Sequence, residues 1–204
     1  MLLFLDVMSP LSEFSLIEDN KLVQNIKITE NTNDKLSDCI FKKFEEIENK
    51  MNLLKYLKKI IITIGPGSYT NLRVGASFVS AINISKNIPI CQLSAHDIIK
   101  FKCIENNNNK IGFYICSAND QKFFCSFDKF NKLNFKKIVD SSNFEVKEFQ
   151  KIYFNYEELK FDNKKIDQEK IIFVEEVISN LEKLNFIKDL IIKPIFISNN
   201  KILN

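Results

Sequence analysis

GPGSYTNLRVG, residues 65–75, holds three of the chain's four glycines, Gly65, Gly67 and Gly75, and its one arginine, Arg73. Every other basic position among the 29 Lys+Arg is lysine. A chain that avoids glycine and arginine elsewhere has concentrated both here. The stretch follows KKIIITI (58–64), a continuous Ile-rich run that reads as a strand buried on both faces. It leads into LRVGASFVSAINISKN, which reads as a helix. Three readings of this strand-to-helix junction stand side by side. It is a tight turn, with Pro66 fixing φ and the glycines taking unusual dihedrals. It is an anion site, in which backbone N–H groups and a helix N-terminus attract phosphate. Or it is an interface element. No Gly-Lys-Ser/Thr follows, so it is not a Walker loop.

Outward from the junction, the chain alternates strands and helices. LLFLDV (2–7) is a buried apolar run; EFSLIED and KLVQNIKI alternate apolar and polar residues around a polar tip at Asp19-Asn20. Residues 2–28 therefore predict a three-stranded antiparallel meander. The period then changes: Leu36, Ile40, Phe44 and Ile47 share one helical face, with Asn33 or Asp34 expected as the cap. After the junction come a buried strand, IPICQL, and a short helix, SAHDIIKFK, capped by Ser94. The polar run ENNNNK (105–110) marks a boundary, which divides the chain into 1–104 and 105–204. Beyond it a hairpin is expected around Asn119-Asp120. NFKKIVD, KIYFNY and IIFV read as further strands, EEVISNLEKLN as a helix, and IIKPIFISN as a strand or extended tail. No repeat at a short fixed period is visible. The order predicts mixed sheets covered by helices; three opening strands argue against a Rossmann start.

Composition limits the function classes. Of the 204 residues, 45% are hydrophobic and 27% charged, which is globular composition. The net charge of +3 is too balanced to announce a nucleic-acid surface. The five cysteines lie mostly in apolar runs without a Cys-x-x-Cys spacing, as expected of reduced, buried thiols in a cytosolic protein. The single histidine, His96, has no metal-ligand spacing around it and reads as an exposed helix residue; no metal site is expected. MLLFLDV is interrupted by Asp6, and neither a signal peptide nor a membrane helix is expected.

GPGSYTNLRVG behind a buried strand, MLLFLDVMSP and EFSLIEDNKLV at the start, and NIPICQLSAHDIIKF downstream together resemble the TsaB (YeaZ) family. The resemblance is strongest over residues 1–101 and thin over 130–190. It implies an α/β, actin/Hsp70/sugar-kinase-like (ASKHA) fold of two subdomains with mixed sheets. It also implies a cytoplasmic, non-catalytic scaffold subunit that pairs with TsaD. With the ATPase TsaE, that pair supports threonylcarbamoyl transfer to the tRNA adenosine next to the anticodon. Contact with tRNA is implied only through the complex. No cofactor of its own is implied, though nucleotide at the complex interface is compatible with the family, as is a homodimer of the isolated protein. Three departures stand out. Thr63 and Asn71 occupy places where the family usually has glycine, and Ser117 lies near a place where an aspartate is common.

The resemblance divides the candidate residues into two groups. The first would form a vestigial nucleotide or anion site: Asp6 at the end of the first strand, Ser9 in the following turn, and Gly65, Gly67 and Ser68. A self-sufficient kinase site would need a second carboxylate and a second glycine-rich loop; the later half contains only Gly112. The second group would face the partner: Leu36, Ile40 and Phe41 on the first helix, and Asn71, Arg73, Val74, Gly75 and Phe78 on the helix after the junction. Small residues at Gly75, Ala76, Ser77, Ser80 and Ala81 permit close helix approach. Burial of both helices inside one chain remains an equal reading of the same pattern. The rival function is an independent ATP-dependent phosphotransferase or peptidase using the Asp6/GPGS cleft.

Overall fold

In the computed structural model the described residues are 1–106, 110–127, 133–138, 149–158, 166–188, 191–198 and 201–203. Strands β1 (Leu2–Asp6), β2 (Glu13–Glu18) and β3 (Lys21–Lys27) form the expected meander. Helices α1 (Leu36–Met51) and α2 (Leu53–Tyr56) then lead to β4 (Lys59–Thr63), which pairs parallel with β1. The junction feeds α3 (Tyr69–Lys86), followed by β5 (Ile90–Leu93), parallel to β4, and α4 (Ala95–Asn106). The sheet order is β3-β2-β1-β4-β5.

A second sheet repeats this plan. Strands β6 (Ile111–Ser117), β7 (Gln121–Phe127) and β8 (Leu133–Ile138) are antiparallel neighbours. Strands β9 (Lys151–Phe154) and β10 (Asp167–Lys170) add parallel strands on the other side of β6, giving the order β10-β9-β6-β7-β8. Sheet two is thus sheet one over again, with β6 in the place of β1, so the ends of β1 and β6 are equivalent positions. Helix α5 (Phe173–Ser179) and a short hairpin of β11 (Phe196–Ser198) and β12 (Lys201–Leu203) complete the described elements.

The apolar runs are continuous because both faces of each central strand are covered. On β1, Leu3 and Leu5 face a core shared with α1 and α3. Leu2 and Phe4 face a second core, shared with α4 and sheet two. Strand β4 divides the same way: Ile60 and Ile62 to one side, Ile61 to the other. Strand β6 sends Phe113 and Ile115 into the shared core and Tyr114 and Cys116 to its outer face. The shared core is what joins the two halves.

The left-handed backbone positions explain the scarcity of glycine. Among the described residues, Asp19, Asn20, Asn52, Asn87, Asn119 and Asp120 are the non-glycine residues with positive φ, and all are Asn or Asp. Asn and Asp tolerate this region best among residues with a side chain. They turn the β2–β3 and β6–β7 hairpins and end α1 and α3. Where they fail is where a Cβ itself has no room. A Cβ on Gly65 would lie 2.6 Å from the Ile195 carbonyl oxygen, and its φ of +115° is one that side chains rarely adopt. A Cβ on Gly75 would meet Val7 at 2.8 Å.

Several local expectations are corrected. The N-cap position of α1 is Lys35, and no side chain caps the helix there. Asp34 instead accepts the amides of Glu30 and Asn31, both at 2.9 Å, and so closes the preceding loop. Ser94 does cap α4: Asp97 N–H donates to its hydroxyl, while Ser94 N–H and O–H donate to the Asp97 carboxylate at 2.8 and 2.6 Å. Residues 171–174 are not a strand: β10 ends at Lys170 and α5 begins at Phe173, which turns Phe173 and Val174 into the shared core. The helix read from EEVISNLEKLN breaks at Asn180 into a single 3₁₀ turn, Leu181–Lys183.

The tail reaches back to the first sheet as well as touching the second. Ile187 and Ile90 exchange N–H···O bonds, both 2.9 Å. The Gln92 side-chain amide donates to the Ile191 carbonyl at 3.1 Å and accepts Lys193 N–H at 2.8 Å. Ile195 N–H then donates to the Ile64 carbonyl at 2.7 Å, immediately before the GPGS turn. Ile187, Ile191, Lys193 and Ile195 are therefore bonded to the β4–β5 side of the first sheet. Among the described residues no helix is long and apolar enough to cross a membrane. Gly65→Ala, which drives a Cβ against the Ile195 carbonyl, is expected to lower stability by about 1–3 kcal/mol, read by urea denaturation.

Candidate functional site

The ends of β1 and β6 meet at the GPGS turn, and the polar groups there satisfy one another. Asp6 Oδ1 accepts Met8 N–H at 2.9 Å, Ser9 N–H at 3.3 Å and the Thr63 hydroxyl at 2.9 Å. Thr63 Oγ1 in turn accepts Val7 N–H at 2.9 Å. Thr63, a departure from the family pattern, is thus the residue that orders the β1–β2 turn. Asp6 is buried, and burial pushes its carboxyl above the ordinary value of 3.8 despite those hydrogen bonds. Glu13, opposite Asp6 in the β1–β2 register, is raised too, first by burial and then by the nearby Asp6 charge.

Across the interface between sheets, Ser68 N–H donates to Ser117 Oγ at 2.8 Å. A Cβ on Gly67 would lie 3.1 Å from that same oxygen and 3.4 Å from Met8. Ser117 is the counterpart of Asp6 at the end of β6, and a hydroxyl there accepts the turn's amide directly. Asn155, just past β9, makes a second crossing: it exchanges hydrogen bonds with the Cys116 backbone and donates to Ser9 Oγ at 3.2 Å. The Ser68 amide of the turn is thus already used within the chain. A cavity of about 250 Å³ opens beside this closure, lined by Asp6, Ser9, Glu13, Lys27, Asn155 and Lys170 among others. Gly65, Gly67 and Ser68 are buried and outside its lining. Asp6 and Ser9 thus line the cavity, whereas Gly65, Gly67 and Ser68 do not. Among the described residues no three His, Cys, Asp or Glu side chains converge as a metal-ligand set.

The partner-facing candidates separate by depth. Leu36, Ile40, Asn71, Gly75 and Phe78 are buried in this chain's own core, so they support the helix surface rather than form it. Val74 is half-buried, and Phe41 and Arg73 are exposed. Phe41 is 64% accessible yet packs edge-on to Phe78, with ring centroids 5.5 Å apart. Phe78 is itself held by Phe44 at 5.1 Å and Phe14 at 5.7 Å. An exposed ring thus stands on a rigid aromatic base. Arg73 Nη1 donates to the Tyr69 hydroxyl at 3.0 Å, and its guanidinium lies 5.2 Å from the Tyr69 ring. His96, expected exposed, is half-buried on α4, and burial lowers its pKa. The five cysteines are free thiols; burial pushes Cys91 up to about 11 and raises Cys103, Cys116 and Cys125 as well, leaving these four poor nucleophiles.

Sequence reading missed Thr63 as the partner of Asp6, Asn155, and the tail's contact with the turn. The contacts span 57, 146 and 131 residues between partners (195 − 64 for the tail), and no local pattern encodes them.

A duplicated sheet of order 3-2-1-4-5, with helices between the parallel strands of the first sheet and the two halves meeting at equivalent strand ends, defines the actin-like class of two-subdomain α/β proteins. Residues 28–189 match the family described as TsaD: tRNA N6-adenosine threonylcarbamoyltransferase, and the chain belongs to that family. No curated protein matches it in sequence. A solved structure described as an uncharacterized protein with similarity to peptidase YEAZ from Pseudomonas aeruginosa shares the fold. Its TM-score is 0.53 at 12% identity, over 92% of this chain and 94% of that one. YeaZ from Pseudomonas aeruginosa aligns with a TM-score of 0.47 at 12% identity, over 75% of this chain and 74% of that one.

Because Asp6 and Glu13 are both raised, the folded state holds protons that the unfolded chain releases. Their contribution is fully present below the ordinary carboxylate values and is lost as pH rises through the raised ones. Asp6→Asn, which keeps an acceptor, should flatten the fall in stability over that interval, as measured by urea denaturation at stepped pH. Asp6→Ala, which strands buried donors, should lower stability by about 1–3 kcal/mol at neutral pH.

Proposed function

We propose that this chain is a TsaB-type accessory subunit of the tRNA threonylcarbamoyl-modification system. In this reading it docks its α1/α3 face on a TsaD-type catalytic subunit and works with the ATPase TsaE. Contact with tRNA comes through the complex, and any nucleotide sits at the subunit interface. One observation carries the docking claim: Phe41, an exposed ring locked over the Phe78/Phe44/Phe14 cluster. A rigid aromatic presented to solvent has little conformational entropy left to lose on binding, which is the character of an interface anchor. Family membership and the YeaZ-like fold supply the biological setting. The same face fits a homodimer of the isolated chain.

The polar closure at the GPGS turn supports an accessory role, because Ser117 and the turn's own backbone fill the space between the two strand ends. The family's description names a transferase, which favours a second reading, an enzyme that binds nucleotide in the Asp6 cleft on its own. Isothermal calorimetry of the isolated protein with ATP and Mg²⁺ separates the two; tight binding with turnover would favour the enzyme.

Mixing the purified chain with the TsaD-type subunit of the same genome should give a heterodimer by light scattering. Phe41→Asp should weaken it at least about tenfold, the effect of losing a central anchor, while thermal unfolding stays close to wild type because the side chain is exposed. If wild type and TsaD-type subunit form no complex with or without nucleotide, the docking claim is wrong.

A further inference from the structure

The C-terminal strand reaches the start of α3 at one side chain. Phe196 of β11 lies 4.5 Å, ring to ring, from Tyr69, the first residue of α3. Tyr69 is 53% accessible and is the residue under Arg73, through both its ring and its hydroxyl. Phe196 is itself held in place: it packs on the α1/α3 core, and the preceding Ile195 is hydrogen-bonded to Ile64. Phe196, Tyr69 and Arg73 thus form a stack that runs from the far end of the chain to the exposed face of α3.

Arg73 has one hydrogen-bond acceptor among the described residues, the Tyr69 hydroxyl at Nη1. No salt bridge to it is present among those residues either, although acidic side chains pair with lysines elsewhere. A guanidinium donates from a planar fork, and fixing one arm of it aims the other edge. An exposed fork held in one orientation is the geometry that takes a carboxylate with two parallel bonds. A lysine at the same place could neither stack on Tyr69 in this way nor offer that fork, which fits the use of the chain's one arginine here.

We infer that the Phe196–Tyr69–Arg73 stack is a carboxylate-recognition device on the docking face, and that the C-terminal strand sets its aim. The occupant is an Asp or Glu side chain, or a C-terminal carboxylate, of the protein that docks on α1 and α3. The inference rests on the docking reading above and adds the chemistry of the partner's contact. Phe196 acts through Tyr69 and is a positioning residue; Arg73 is the recognising one.

The test is titration of the TsaD-type subunit with the full chain, with folding of each variant checked by circular dichroism. Arg73→Lys should weaken binding about tenfold, as loss of an oriented charge pair does. Tyr69→Phe, which keeps the ring and removes only the acceptor, and Phe196→Leu, which removes the ring stack but keeps an apolar side chain against the α1/α3 core, should each weaken it by a smaller factor. Combined with Arg73→Lys, neither should add to the loss, because all three act on one contact. Raising ionic strength should weaken wild type more steeply than Arg73→Ala. Wild-type affinity in Arg73→Lys, additive losses in the double variants, or equal salt slopes would each overturn the inference. Phe41→Asp measured in the same series keeps the two ideas apart. If it abolishes binding while Arg73→Lys and Phe196→Leu bind normally, docking stands and the stack has no role. If wild type does not bind, both fall.

Discussion

Gly65–Ser68 is where four parts of the chain touch. The tail carbonyl of Ile195 presses on Gly65, Met8 and Ser117 press on Gly67, and Ser117 also takes the Ser68 amide. The constraint is volume. Interiors pack near crystal density, so a backbone approached from several sides has no space for even one Cβ. Everything that gives the protein its shape passes this point: the end of β1 with its Asp6–Thr63 pair, the end of β6, the start of α3 and the returning tail. The duplicated sheets would each be possible without the turn, but their relative placement is set by what meets there, together with the apolar core shared by Phe4, Ile61, Phe113 and Ile115.

That constraint explains how a chain of 204 residues manages with 4 glycines. Asparagine and aspartate take the hairpin and helix-end positions with positive φ, since these need only a tolerant backbone. They cannot replace a glycine whose missing side chain is the requirement. Glycine is retained at Gly65, Gly67 and Gly75 for close approach, and at Gly112 for the Phe124 ring that lies against it.

The same turn joins interior to surface. Its closure pairs Asp6 with Thr63 and Ser68 with Ser117, and α3 begins directly after it. Helix α3 buries Leu72, Phe78 and Val79 while it turns Arg73 outward, and α1 adds Phe41. The polar crossing points and the exposed aromatic face are thus two results of one packing arrangement: fixed on the inside, the helix pair can offer a fixed outer surface.

Much of the fold was legible in the sequence. The meander of residues 2–28, the α1 stripe, the buried run 59–63, the Ser94 cap and the hairpin at Asn119-Asp120 follow from period, turn residues and capping. These signals are local, and local backbone physics decides them. The resemblance of the GPGS motif and its flanks was sufficient to place the chain in its class of fold. Depth on a helix, by contrast, depends on what other segments cover. Leu36, Ile40, Asn71, Gly75 and Phe78 fit the pattern of an interface in the sequence but are buried in the chain's own core, whereas Phe41, off the main stripe, reaches the surface. The pairing of Asp6 with Thr63, of Ser68 with Ser117, and of Phe196 with Tyr69 was decided by the tertiary structure alone. Each joins residues far apart in the chain, and only the packing of two sheets and a returning tail brings their atoms within bonding distance.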